Sequence, residues 1–231
     1  MLLTTFCLLL SLPCNAARTP EEIVNKINAN FIKIKDAAAD ITMDTSLHIF
    51  GCSGLTRFQG KGYYKAPDKI KAALNKETYF ARGNRIRKID EKGKKWYVKL
   101  FNALDFSPGF NPMLIPHNFY LTLVKDGTDE IILEGNPKPG VLKNVKKVFF
   151  RIDPHGYLLR RIDLVLVHSW LNGSIDICYQ EIDGLCVPVG FKGRSAIELR
   201  AGILVGLDIE LRGENIRLNK GQPDRLFDPG F

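Results

Sequence analysis

The sequence has little of what enzyme and metal sites are usually built from. Its four histidines, at positions 48, 117, 155 and 168, are widely separated, and no HExxH, GxSxG, P-loop or GxGxxG motif is present. The acidic residues fall mostly in turns or at outward-facing strand positions. We therefore expect no catalysis, no cofactor and no metal. An enzyme would require a polar cluster inside the fold that the sequence does not indicate.

Cysteine is also scarce, with three residues beyond position 16: Cys52, Cys178 and Cys186. Cys178 and Cys186 flank a predicted turn at Asp183-Gly184. A two-residue loop there would pair Glu181 with Cys186 and direct the two thiols to opposite faces of the hairpin, which excludes a disulfide between them. The spacing is not a metal pattern. We therefore predict buried free thiols.

The only long apolar run is Met1–Pro13, which is too short to cross a bilayer and has no charged side chain. Such a run is typical of the apolar core of a secretory signal peptide, and Cys14-Asn15-Ala16 fits its cleavage site. We expect residues 1–16 to be removed, which leaves 17–231 as one exported domain. Lipidation at Cys14 is the alternative, but Leu12-Pro13 fits a lipoprotein signal badly.

Strand patterns dominate the rest of the chain, and no linker or change of composition divides it. The clearest stretch, Val145–Phe191, has apolar runs separated by turn signals at Asp153–Gly156, Asn172-Gly173 and Asp183-Gly184. Within it, apolar and other residues alternate from Arg161 to Leu166. This pattern predicts a meander of antiparallel strands with one apolar face that another element must cover.

Two non-strand segments could cover that face. Thr19–Asp36 predicts a helix, because Thr19 and Glu22 form a capping box and Ile23, Ile27, Phe31 and Ile34 share a stripe. Phe106–Phe119, here called the Pro-rich segment, has three prolines among apolar residues, which prevents a long helix. A short helix or an irregular, movable cover is expected there.

The fold class that follows is mainly β (α+β). We predict ten or eleven strands in a single curved antiparallel sheet that forms a half-open barrel, with the N-terminal helix and the Pro-rich segment as a lid on its concave face. The tail, 219–231, is expected to lie extended on the surface.

The formal net charge is +8, and residues 1–16 contribute no charged side chain to it. An exported basic domain could meet anionic lipid headgroups or another acidic partner, or could simply have a solvated basic surface. The basic residues between Arg82 and Lys95 lack the aromatic spacing of a single-strand-binding motif, so we expect no nucleic-acid partner.

Several segments, in order, resemble the LolA-like family of periplasmic outer-membrane lipoprotein carriers. They are the helix beginning RTPEEIVNKI, the strand GYYKAPDKI (62–70), the hairpin KGKKWY (92–97), the segment NPMLI (111–115), Ile152-Asp153-Pro154 and the stretch NKGQPDRLF (219–227). The resemblance implies a half-barrel whose cavity takes the acyl chains of lipoproteins, or other lipids such as phospholipid, in a monomeric carrier that exchanges them with membrane donor and acceptor proteins.

On that basis, the lipid-binding cavity is predicted at Trp96, Val98, Leu100, Leu164 and Leu166, and the lid at Met113, Leu114, Ile115 and Phe119. For each of these residues the alternative is core packing. The family's latching Arg before the strand proline is replaced here by Ala66, so a latch of that kind is not expected. The same fold also serves in envelope sensor modules that bind a protein partner, and this remains the alternative function.

Overall fold

The structure, a computed structural model, describes residues 18–49, 52–82, 85–90, 95–97, 112–142, 145–167, 172–199 and 203–228. Two helices lie within these ranges, α1 (Pro20–Phe31) and α2 (Ile115–Asn118), together with two 3-10 turns, η1 (Pro112–Leu114) and η2 (Asp224–Phe227). The strands are β1 (Asp36–Ile49), β2 (Cys52–Lys65), β3 (Lys69–Leu74), β4 (Glu77–Arg82), β5 (Arg85–Asp90), β6 (Lys95–Tyr97), β7 (Phe119–Asp126), β8 (Ile131–Pro137), β9 (Val145–Ile152), β10 (Leu159–Leu166), β11 (Asn172–Ile182), β12 (Leu185–Leu199) and β13 (Ile203–Leu218).

The described strands form one antiparallel sheet in the order β6-β5-β4-β3-β2-β1-β13-β12-β11-β10-β9-β8-β7. The sheet consists of two meanders, β1–β6 and β7–β13, which join where the first strand pairs with the last. The predicted class, a single antiparallel sheet that does not close on itself and has a helix on one face, is confirmed. The strand number is higher than the ten or eleven predicted.

Helix α1 begins as its sequence predicts. The Thr19 hydroxyl accepts a hydrogen bond from the Glu22 backbone N–H at 3.2 Å, and Glu22 accepts one from the Thr19 N–H at 2.9 Å. The helix ends at Phe31 rather than at Asp36, because Asp36 already begins β1. Ile34, predicted on the helix stripe, lies instead in a second, smaller cluster with Val187 and Leu218.

The main core lies between α1 and strands β7–β11. Ile23, Val24 and Ile27 of the helix pack with buried residues of every one of these strands, among them Phe150 and Ile162, which are fully buried. From Arg161 to Leu166 the burial of β10 alternates strictly, as the meander pattern predicts. The core therefore covers one half of the sheet's helix-side face.

The turns confirm two of three predictions in the meander. Asp153 accepts a hydrogen bond from the Gly156 N–H at 2.8 Å in the first turn, and Asp183 and Gly184 both have positive φ between paired Ile182 and Leu185. The prediction for Asn172-Gly173 is wrong. Val165 pairs with Asn172, so these two residues lie inside the ladder and the connection precedes them.

Residues 33–36 and 219–221 are clasped together. The Asp36 carboxylate, which is buried, accepts hydrogen bonds from the Lys220 and Gly221 N–H groups at 3.0 and 3.1 Å. Asn219 adds contacts to the backbone of residues 33 and 35. The expected extended tail is corrected accordingly: it docks through this clasp and through η2, whose Phe227 is buried.

The cysteine prediction is half right. Cys52, Cys178 and Cys186 are free, and Glu181 pairs with Cys186 as the two-residue loop requires. All three thiols are exposed rather than buried. They occupy strand positions away from the helix-covered core, which their apolar character alone could not reveal.

Candidate apolar binding face

A single row of directly opposed residues crosses the helix-side face of nine strands, from β7 to β2. Opposed residues in antiparallel strands point to the same face. We call this the central row. Its members, in strand order, are Leu123, Leu133, Phe150, Ile162, Ile175, Gly193, Ile209, Thr45 and Thr56.

Burial falls along the central row from β8 to β2. Leu133, Phe150 and Ile162 are 0% exposed and Ile175 is 3% exposed. Beyond Ile175 the members are half-buried, and the last one is exposed. The row therefore leads from the core onto an open face.

Burial also falls along two neighbouring rows. One begins at buried Ile177 and continues through the half-buried side chains Phe191, Leu211, Met43 and Phe58. The other begins at buried Leu164 and continues through Gly173, Ser195, Leu207, Leu47 and Gly54, with Leu47 46% exposed. We call the helix-side face of β12, β13, β1 and β2 the open face, and that of β7–β11 the closed face.

Two glycines leave unfilled space above the sheet on the open face. A Cβ added at Gly193 would have only two backbone oxygens within 4 Å, both at 3.9 Å, and one added at Gly54 would have nothing within that distance. Neighbouring strands are about 4.8 Å apart, so the open face is about 14 Å wide across its four strands. This is room for slender apolar groups rather than for bulky ones.

Helix α1 is tied to the closed face by its polar ends. Arg18 forms an ion pair with Asp126, and the hydrogen bond from Arg18 holds the pKa of that carboxyl below its usual range. Lys26 donates to the Tyr157 hydroxyl at 2.9 Å, and Asn30 donates to the Gly156 carbonyl at 2.8 Å. Hydrogen bonds from Lys26 and then Arg18 lower the pKa of Tyr157. These contacts anchor the helix to the turn after β9 and to the end of β7.

The described part of the Pro-rich segment, Pro112–Phe119, packs against α1. It forms η1 and α2, which confirms the expected short irregular cover for these residues. Ile115 is 1% exposed, and Lys138 fixes the segment through a hydrogen bond to the Pro116 carbonyl at 2.9 Å. Residues 106–111 of the segment lie outside the described residues.

The structure brings together some of the predicted site residues and separates others. Leu164, Leu166, Ile115 and Phe119 meet in the closed core, while Met113 and Leu114 are half-buried beside it. Phe119 is the first residue of β7 and the last residue of the Pro-rich segment. Trp96 lies in β6, at one edge of the sheet, and belongs to the β1–β6 meander, whereas Leu164 and Leu166 belong to the β7–β13 meander. Val98 and Leu100 lie outside the described residues.

Sequence reasoning missed the open face itself. The alternation of Leu207, Ile209 and Leu211 marks β13 as half-buried, but no local signal shows that it lies between Phe191 and Met43. Within the closed core, Leu164 is the predicted site residue whose row continues through Gly173 and Ser195 onto the open face.

A separate depression of about 500 Å³ lies elsewhere, at a β-bulge where β1 meets β13. It is lined by Ala38, Ala39, Asp40, Lys61, Tyr63, Asn215, Ile216 and Arg217. Charged and polar side chains surround it, so it does not resemble an acyl-chain site.

Solved structures share this architecture over almost the whole chain. A LolA superfamily protein from Nitrosomonas europaea has a TM-score of 0.58 at 13% identity, covering 91% of this chain and 98% of its own. The chain has the LolA-like fold. A domain assigned to outer membrane lipoprotein sorting, from Vibrio parahaemolyticus, has a TM-score of 0.64 at 11% identity, covering 90% and 97%.

A DUF1329 family protein from Desulfovibrio piger has the same LolA-like fold, with a TM-score of 0.63 at 16% identity, covering 90% of this chain and 96% of its own. No family model matches the sequence, and neither does any curated protein. Within the described ranges, no helix is long and apolar enough to cross a membrane, and no group of His, Cys, Asp and Glu could hold a metal ion.

Proposed function

We propose that the protein is a periplasmic carrier that binds the acyl chains of a lipoprotein or another lipid on its open face, without catalysing a reaction. The observation that supports this most is the continuity of the apolar rows from the closed core onto the half-buried side chains of β12, β13, β1 and β2. Burial of each CH₂ group of a bound chain would contribute about 0.8 kcal/mol. The LolA-like fold and the predicted signal peptide agree with the proposal.

The ligand would extend the core rather than enter a preformed cavity in it. An acyl chain lying across the open face would contact Phe191 and Ile209. It would cover the open face as α1 covers the closed face. Leu164, where a row leaves the core, is the predicted site residue best placed to contact it. The lid prediction for Met113, Leu114, Ile115 and Phe119 stays a prediction.

A glycine-to-phenylalanine change tests the open face directly. Phe at position 193 would lie between Ile175 and Ile209 and fill the space that the proposal gives to the ligand. Because Gly193 has no positive φ and its added Cβ meets nothing closer than 3.9 Å, Gly193→Phe should fold. Arg194→Phe is the matched control, since its side chain is 82% exposed on the opposite face.

The measurement is uptake of a triacylated lipopeptide, and separately of a fluorescent fatty acid, by the purified chain, followed by native mass spectrometry. We expect wild type and Arg194→Phe to form a one-to-one complex and Gly193→Phe to lose it. A wild-type protein that takes up neither probe would refute the proposal. If the open face instead holds a stoichiometric polypeptide and no lipid, the alternative function as an envelope interaction module is correct.

A further inference from the structure

The face of the sheet opposite to α1, here called the outer face, changes character between β8–β11 and β2–β5. The register of β8–β11 places three cations and three carboxylates on the outer face: Lys147, Arg151, Arg161, Glu134, Asp163 and Asp176. These groups pair with one another across the strands. Lys147 contacts Glu134 at 2.9 Å, and Asp163 accepts hydrogen bonds from both Arg151 and Arg161 at 2.5 and 2.6 Å.

The outer face of β2–β5 has no such balance. Of its eleven register positions with described side chains, six are Lys or Arg and none is Asp or Glu; the six are Lys61, Lys65, Lys69, Lys71, Arg82 and Arg87. Three of them oppose one another in a single row, in the order Lys65, Lys69 and Arg82. Like charges placed directly opposite each other destabilise a sheet unless a counter-charge lies beside them.

Counter-charges from the chain itself reach only part of this basic face. Asp224 of η2 contacts Lys65 at 3.1 Å and Lys69 at 2.6 Å. Among the described residues, Lys61, Lys71 and Arg82 form no ion pair, and neither does Arg217. Arg217 is opposed to Ala38 of β1, which is in turn opposed to Tyr63 of β2. The Lys71 ammonium instead lies 5.9 Å from the Tyr63 ring centroid and 5.6 Å from that of Phe80.

The depression at the β-bulge adjoins this basic face. Lys61, Tyr63 and Arg217 line it, and the Asn215 amide donates to Asp40 at 2.9 Å within it. Lys61, Arg217 and Tyr63 around an opening of about 500 Å³ suit a phosphate-bearing headgroup. The adjoining strands add a broad surface of cations.

We propose that the basic outer face of β2–β5 docks on the surface of an anionic lipid bilayer. A sheet face with cations spread over four strands fits a planar array of headgroups, and the predicted export brings the chain to a membrane. This goes beyond acyl-chain binding and does not depend on it, because the two surfaces lie on opposite faces of the sheet. Docking in this orientation would leave the open face directed away from the bilayer surface.

The test compares two charge-matched double variants of the full chain. Lys71→Gln with Arg82→Gln removes two cations from the basic face. Lys192→Gln with Arg194→Gln removes two cations from the outer face of β12, where Glu210 lies 3.1 Å from Lys192 and Asp208 lies 3.9 Å from Arg194. Co-sedimentation is measured with vesicles of phosphatidylcholine alone and of phosphatidylcholine containing phosphatidylglycerol.

We expect wild type to bind only the anionic vesicles, with an affinity that falls as salt is added. Each cation near an anionic surface contributes about 1 kcal/mol, so the Lys71/Arg82 pair should weaken binding roughly 30-fold. The Lys192/Arg194 pair should have little effect. Equal losses in the two pairs, equal binding to neutral vesicles, or binding of an acidic polypeptide or DNA but of no vesicle would each overturn the proposal.

The two proposals fail separately. Gly193→Phe should bind anionic vesicles like wild type, and the Lys71/Arg82 variant should take up the fatty-acid probe in solution like wild type. A variant that loses probe uptake but keeps vesicle binding has lost the acyl-chain site and kept the docking face. A variant that loses vesicle binding but keeps probe uptake has lost the docking face and kept the acyl-chain site.

Discussion

The closed face and the open face are built from the same rows of opposed residues, yet only one of them is a conventional core. On the closed face the rows present Phe150 and Ile162 to a helix that is anchored by Arg18 and Lys26. On the open face the same rows present Gly193 and Thr45. The comparison shows that register alone does not decide what a β-sheet buries; the position of the covering helix does.

The largest expected effect comes from a pair of phenylalanines, one on each face. Phe150 is fully buried and meets Phe119 edge to face at 5.3 Å, whereas Phe58 is half-buried. Phe150→Ala should lower the free energy of unfolding by about 3–5 kcal/mol. Phe58→Ala should cost less than half of that. Urea denaturation followed by circular dichroism measures both, and equal losses would mean that the open face is as closed as the core.

A smaller effect is expected at the start of the covering helix. Thr19→Ala removes the N-cap hydrogen bond to Glu22 and should cost about 1 kcal/mol. Glu21→Ala, one position before the capping partner, is the control. If α1 covers only the closed face, the acyl-probe affinity of Thr19→Ala should stay close to that of wild type. A loss of affinity that parallels the loss of stability would show that helix and ligand share a surface.

The smallest effect concerns the paired carboxylates of the outer face. Burial alone would raise the pKa of Asp163, but hydrogen bonds from Arg151 and Arg161 outweigh it and lower the pKa. Hydrogen bonds from Arg212, opposed by partial burial, and from Lys192 lower the pKa of Glu210 to about 2. A carboxyl whose pKa is lower in the folded state stabilises the fold above its unfolded pKa and loses that contribution as the pH falls.

Asp163 should therefore contribute fully at neutral pH and progressively less below pH 3.8, and Glu210 progressively less from pH 4.5 towards about 2. For Asp163→Asn we expect a loss of about 0.5–1 kcal/mol at pH 7 that disappears in acid, since partly exposed ion pairs are weak. Thermal unfolding between pH 7 and 3 measures this. A loss that does not change with pH would assign the effect to packing instead of charge.

Local signals in the sequence predicted the closed half of the molecule well. The capping box at Thr19, the alternation along β10 and the Asp183-Gly184 turn each depend on residues that are neighbours in the chain, and the structure confirms them. Asn172-Gly173 failed because the same dipeptide fits inside a ladder when Gly173 packs beside Leu164.

The open half could not be predicted in the same way. It depends on the pairing of β1 with β13, in which Met43 meets Leu211 across most of the chain's length. It also depends on Asp36, whose burial is explained only by backbone N–H groups at positions 220 and 221. No pattern of apolar residues within one segment carries information about such distant partners.

The strand order also sets a limit on the shape of the sheet through simple tether length. Strands β6 and β7 occupy the two opposite edges, although they follow each other in the chain. If the sheet were flat, those edges would be about 58 Å apart at about 4.8 Å per strand. The covalent path from Tyr97 to Pro112 can span at most about 50–54 Å even when fully stretched, and η1 and α2 add roughly 12 Å before β7 begins at Phe119. A flat sheet would therefore require this connection to be almost fully stretched, so it favours edges that bend towards each other and give the molecule the shape of a trough before any ligand arrives.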